Sequence, residues 1–169
     1  MTRRAIAMPV MIVTALLLQS TVFADLRLLG VRPELLFLVT IVFALLEGPD
    51  TGASIGFLSG LAQDFMIDAP KGITALTLTL LGYAVGTIRR FITSPSPLLP
   101  TTVVGVGTVA GVGFQEIVSF LLGAFHQSAA YGAKVALLSG LYNAVLTPIL
   151  YPALRRAAEG SRPRRVVRF

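Results

Sequence analysis

The chain has no cysteine, no tryptophan and a single histidine, and only 13% of its 169 residues are charged. Without cysteine there is no disulfide, no thiolate metal site and no cysteine nucleophile. One histidine, His126, argues against a protein-built zinc centre. Serine hydrolysis is not expected: His126, the one histidine, lies in a polar loop with no local acid, and the Gly-x-Ser-x-Gly match at Gly52-Ala53-Ser54-Ile55-Gly56 lies inside an apolar helix, not in a strand-to-helix turn. Walker A, HExxH and paired-carboxylate patterns are missing. No catalytic residue, metal or cofactor is expected.

Scarce charge goes with abundant apolar sequence. Hydrophobic residues make up 54% of the chain and mean hydropathy is +0.80. A soluble domain carries about a quarter charged residues. These values imply an all-α integral membrane protein with almost nothing left over for a water-soluble domain. The net charge of +6 resembles a nucleic-acid signal, but Arg155, Arg156, Arg162, Arg164, Arg165 and Arg168 all lie in the last fifteen residues. Cytoplasmic positive charge beside anionic lipid explains that cluster, and no nucleic acid is expected.

Six apolar segments follow in order. Arg3 and Arg4 precede a run over 5–24, long enough to span at about twenty residues. Val22-Phe23-Ala24 also offers small residues at signal-peptidase spacing, so the run is either a first span or a cleaved signal. A loop ending at Pro33 and Glu34, both helix-start residues, leads to a helix over 33–47. That helix is short for a span; it either crosses with Arg32 and Glu47 snorkelling and the bilayer thinned, or is re-entrant, and a short span is the favoured reading. Gly48 to Thr51 forms a tight turn in which Asp50 or Thr51 can cap a helix over 51–66. The next helices are expected at 73–88, 101–124 and 134–154, the last kinked at Pro148. Ser94-Pro95-Ser96-Pro97 is a stiff linker before the fifth helix. Residues 155–169 form a basic, disordered tail. Together, residues 1–154 form one transmembrane domain. With six spans the cytoplasmic side receives ten basic residues and the outer side four (Arg27, Arg32, Lys71, Lys134), placing both termini in the cytoplasm.

Within the third helix Gly48, Gly52, Gly56 and Gly60 recur every fourth residue, and Asp64 continues the series. That spacing draws one stripe along a helix, and small residues in lipid let two backbones approach closely. The whole bundle is expected to be organised around this helix. Gly82 and Gly86 repeat the interval in the fourth helix. Asp64 either bonds a neighbouring helix or a partner near the outer edge, or is solvated among headgroups. Glu116 lies some fifteen residues into the fifth helix with about eight apolar residues after it. A carboxylate at that depth costs several kcal/mol unless protonated or paired. Gln115, Asn143, Gln19 and Gln63 are its candidate polar neighbours. Arg89, Arg90, Arg155 and Arg156 are the cytoplasmic basic residues nearest the helices.

The succession Leu29-Gly30-Val31-Arg32-Pro33-Glu34-Leu35, Gly48-Pro49, Gly56-Phe57-Leu58-Ser59-Gly60-Leu61-Ala62-Gln63-Asp64, Gly72 and Leu81-Gly82-Tyr83-Ala84-Val85-Gly86 resembles the MreD family of rod shape-determining proteins. The resemblance covers about residues 10 to 90 by motif and the rest by hydropathy and basic tail. It implies a non-catalytic subunit of the bacterial elongation machinery in the cytoplasmic (inner) membrane. Such a subunit binds MreC and acts with MreB, RodA and a class B penicillin-binding protein in lateral peptidoglycan synthesis. It also implies a six-helix transmembrane bundle resembling the substrate-binding subunits of energy-coupling-factor transporters. A small-molecule binding subunit of a vitamin-type transporter is therefore the alternative. Against it, the first helix lacks the Ala-x-x-x-Ala docking pattern usual in such subunits; an outward pocket built from Glu116 and Asn143 would favour it. The small-residue stripes outnumber what one closed bundle needs, and the surplus is expected to receive a partner's span.

Overall fold

The computed structural model describes residues 2–21, 30–31, 33–66, 72–91, 96, 98–123 and 128–160. His126, Arg27, Arg32, Lys71, Asp68 and the end of the basic tail therefore lie outside the described residues. Among the described residues six α-helices follow one another: α1 (Thr2–Thr21), α2 (Leu35–Glu47), α3 (Pro49–Met66), α4 (Ile73–Ile88), α5 (Leu99–Leu121) and α6 (Ala129–Gly160). A short 3-10 turn, Arg89–Phe91, closes α4. Among the described residues two helices, α5 and α6, are long and apolar enough to cross a membrane.

The expected segments recur with shifted ends. α1 starts at Thr2 instead of residue 5 and is described as far as Thr21, and α2 starts at Leu35. α3 begins at Pro49, so the cap expected from Asp50 or Thr51 is supplied by Gly48, whose carbonyl accepts from Gly52 N at 3.0 Å. Gly48 is the sole residue between α2 and α3, at φ +102° and ψ −173°, a region open essentially to glycine. Proline at the first helical position then restarts the chain without wasting a donor. α6 reaches Gly160, so residues 155–160 continue the helix instead of starting the tail. It runs through Pro148 and Pro152, and at 32 residues it measures about 48 Å.

α2, not α3, is the centre of the bundle. Ten consecutive residues, Leu35 to Ala44, are buried, so the helix is covered on every face. One side of it, Leu36, Phe37, Val39 and Phe43, packs with Ile55, Leu78, Val112 and Ala136 from four other helices. Leu38, Ile41 and Val42 pack with Val85 and Val104. A helix enclosed in this way needs no full bilayer-length span of its own, because its ends meet protein. The other helices turn apolar side chains outward, among them Leu17, Phe57, Leu80, Val106, Ile117, Leu141 and Ile149. An apolar outside around a filled interior suits acyl chains.

Candidate functional site

The glycine stripes of α3 and α4 face each other. A Cβ on Gly52 would stand 2.6 Å from the Gly82 carbonyl oxygen, and one on Gly82 would meet Gly52 in return. A Cβ on Gly56 would fall on the Leu78 carbonyl, and one on Gly86 on Pro49. Gly60 completes the seam, with Ala75 Cα at 2.5 Å from its missing Cβ. Two matching four-residue periods on antiparallel neighbours thus consume one another. The grooves expected to await a partner are closed within the bundle at these five glycines.

Asp64 stands one turn beyond Gly60 and is 2% exposed. Its Oδ2 accepts from Gly72 N at 2.9 Å and Ala75 N at 3.1 Å, and Oδ1 accepts from Thr74 N at 3.2 Å. The first turn of any helix has N–H groups without intrahelical partners and a positive dipole end. Asp64 meets both needs of α4 from the end of α3, and Gly60 brings the backbones close enough for the reach. The solvated alternative for Asp64 is overturned by this burial.

A polar hub joins five helices beside the start of α2. Gln19 Nε2 of α1 and Gln63 Nε2 of α3 donate to the same Glu34 oxygen, at 3.3 and 3.4 Å. Asn143 Nδ2 of α6 donates to the Glu34 backbone carbonyl at 2.8 Å and to Thr108 Oγ1 of α5 at 3.1 Å. Asn143 is fully buried. Gln19 Oε1, Gln63 Oε1 and Asn143 Oδ1 are buried acceptors that receive no hydrogen bond. From the sequence, Glu34 reads only as a helix-start residue, and these amides read as neighbours of Glu116. The missed signal is a carboxylate directly before a fully apolar helix, which burial forces into a donor-rich setting.

Glu116 belongs elsewhere. Its neighbour Gln115 donates to Thr74 Oγ1 at 3.4 Å, towards the interior. Glu116 itself lines a groove of about 390 Å³ between α5 and α6, with Gly113, Ile117, Phe120, Ala129, Gly132, Ala133 and Ala136. Asn143 is not among these residues, so the described residues do not form the pocket of Glu116 and Asn143 that would have favoured a transporter subunit. Among the described residues Glu116 has no hydrogen bond or ion pair. No three acidic side chains among the described residues gather to hold a metal ion.

Arg89 and Arg90 are exposed at the end of α4, and Arg155 and Arg156 near the end of α6. The Arg89 guanidinium lies 3.9 Å from where a Cβ on Gly48 would stand, at the α2–α3 turn. Leu154, like Leu45 and Leu46, packs against the buried cluster that includes Ala44 and Val85. The four arginines therefore share the Gly48 end of the bundle, while Glu34, Asp64 and Glu116 lie towards the other.

Comparison with curated proteins and with solved structures gave no match. A family model, rod shape-determining protein MreD, matches residues 2–157, nearly the whole chain. With its all-helical bundle and apolar exterior, the chain belongs to the MreD family of rod shape-determining membrane proteins.

Proposed function

We propose that the protein is a non-catalytic membrane subunit of the bacterial elongation machinery, which binds MreC and helps organise lateral peptidoglycan synthesis. The observation that carries this reading is the family match from residue 2 to 157. The helices cross the cytoplasmic membrane six times with both termini in the cytoplasm. The arginines at the Gly48 end then meet anionic lipid or an acidic surface of cytoplasmic partners such as MreB. RodA and a class B penicillin-binding protein complete the assembly. The packed interior supports a scaffold: its buried polar groups tie helix to helix, as the Asp64 cap and the Glu34 hub do.

Depletion in the native rod-shaped cell tests this. Cells should round as the protein is lost, and the tagged chain should retrieve MreC from solubilised membranes. Persistent rod shape together with lost vitamin uptake would instead favour a transporter subunit.

A further inference from the structure

We propose that the α5–α6 groove around Glu116 is the seat of a partner's single transmembrane helix, which places a lysine or arginine against the Glu116 carboxylate. This deepens the scaffold reading and rests on it, by naming the surface and the chemistry of the contact.

Three observations converge on this groove. First, its volume is about 390 Å³ and its floor is made of small residues: Gly113, Gly132, Ala133 and Ala136. A Cβ on Gly113 would meet nothing within 4 Å, whereas the α3–α4 glycines are blocked by backbone. Gly113 is thus a small residue in a helix that no described neighbour exploits. Close backbone approach is what such residues permit in lipid. Second, large apolar side chains border the groove: Ile117 is 60% exposed and Phe120 67%. They form a wall against which a second helix can pack.

Third, Glu116 supplies the charge that selects the occupant. The chain stays apolar, but for Ser119, from Ile117 to Phe125, so the carboxylate is flanked by lipid-soluble sequence. An intramembrane carboxylate faces a partner or a water-filled cavity, because hydrocarbon does not solvate it. The other buried or half-buried acids illustrate the contrast. Asp64 takes three backbone donors and Glu34 two amides, whereas Glu116 takes none among the described residues. Lys134 on α6 is exposed and makes no ion pair with it.

A second copy of this chain is a poor occupant. A two-fold interface on this groove would bring Glu116 towards its own symmetry mate, and two carboxylates repel. A helix with a basic residue at the matching depth removes the charge and fills the volume at once.

The absence of cysteine and the exposure of Ile117 make the groove accessible to site-specific probes in intact membranes. A photo-crosslinking amino acid is placed at Ile117 or Phe120, with Leu76 of α4 and Ile149 of the distal half of α6 as exposed controls. The groove positions should crosslink to one membrane protein, identified by peptide mapping, whose span carries a lysine or arginine; the controls should not. Glu116→Lys should reduce that crosslink to background, and Glu116→Gln should weaken it while membrane abundance stays normal. Exchanging the partner's basic residue for glutamate should restore the crosslink to Glu116→Lys. Crosslinks to lipid alone, to a second copy alone, or equally from the controls overturn the proposal. So does a crosslinked span without a basic residue. If MreC still co-purifies in any of those cases, the scaffold reading stands and only this seat is wrong. If no MreC is retrieved at all, both fail.

Discussion

Asp64 gathers three backbone donors in a nearly water-free position, so its removal is expected to loosen α4 from its first turn. Asp64→Ala leaves those N–H groups without their acceptor, and each buried group so stranded costs about 1–3 kcal/mol. Asp64→Asn retains one carbonyl oxygen and should fall between the alanine variant and the native chain. Removing Asn143 should have a milder effect. The Glu34 carbonyl it bonds also accepts from Phe37 N at 3.1 Å, and therefore keeps a partner when Asn143 is gone. Asn143→Leu, similar in volume and free of the unsatisfied Oδ1, should cost less than Asp64→Ala. Thermal unfolding of the purified protein in detergent checks the order; an Asp64→Ala chain as stable as the native one would sink the capping account.

At the scale of the element, the α3–α4 seam makes glycines unequal. Gly56→Ala drives a methyl into the Leu78 carbonyl, and overpacking of this kind costs about 1–3 kcal/mol or more. Gly113→Ala meets open space, and alanine exceeds glycine in helix propensity by about 1 kcal/mol, so that variant should be neutral or slightly stabilised. Monodispersity and melting temperature of the two variants in the same detergent provide the comparison. The four-residue period is legible in the sequence alone, and so is its meaning as a close-packing face. What it packs against is not, because a stripe names no partner. Gly82 and Gly86 show the same period on α4, the next helix in the chain, and the two stripes meet and leave no groove between them. Glu34 escapes notice for the opposite reason: next to Pro33 it has a sufficient local explanation, and only the burial of α2 gives it a second role. The extra turns of α6 are hidden by Arg155 and Arg156, which read as a tail although arginine is a good helix former.

For the whole molecule, the central position of α2 and the distribution of charge bear on the orientation proposed above. A fully covered helix needs neighbours on all sides, and α3, α4, α5 and α6 all pack on it, with α1 on its remaining face. Gln19 meets Glu34, so the end of α1 lies with the start of α2, and Thr2 lies at the opposite, Gly48 end. Gly160 ends α6 at that same end, beyond Leu154. Both termini of the bundle therefore share one side with Arg89, Arg90, Arg155 and Arg156, whereas Lys134 lies near the start of α6 on the other. Positively charged segments next to spans stay on the cytoplasmic side, and acids contribute little to that choice, so Glu47 and Asp50 do not offset the arginines. A fluorescent protein fused after Phe169 should accordingly mature and fluoresce, and alkaline phosphatase inserted between α5 and α6 should be active. Exchanging the two reporters should silence both. Active phosphatase at the carboxy terminus would reverse the orientation, and it would move the Glu116 groove from the outer leaflet to the inner one.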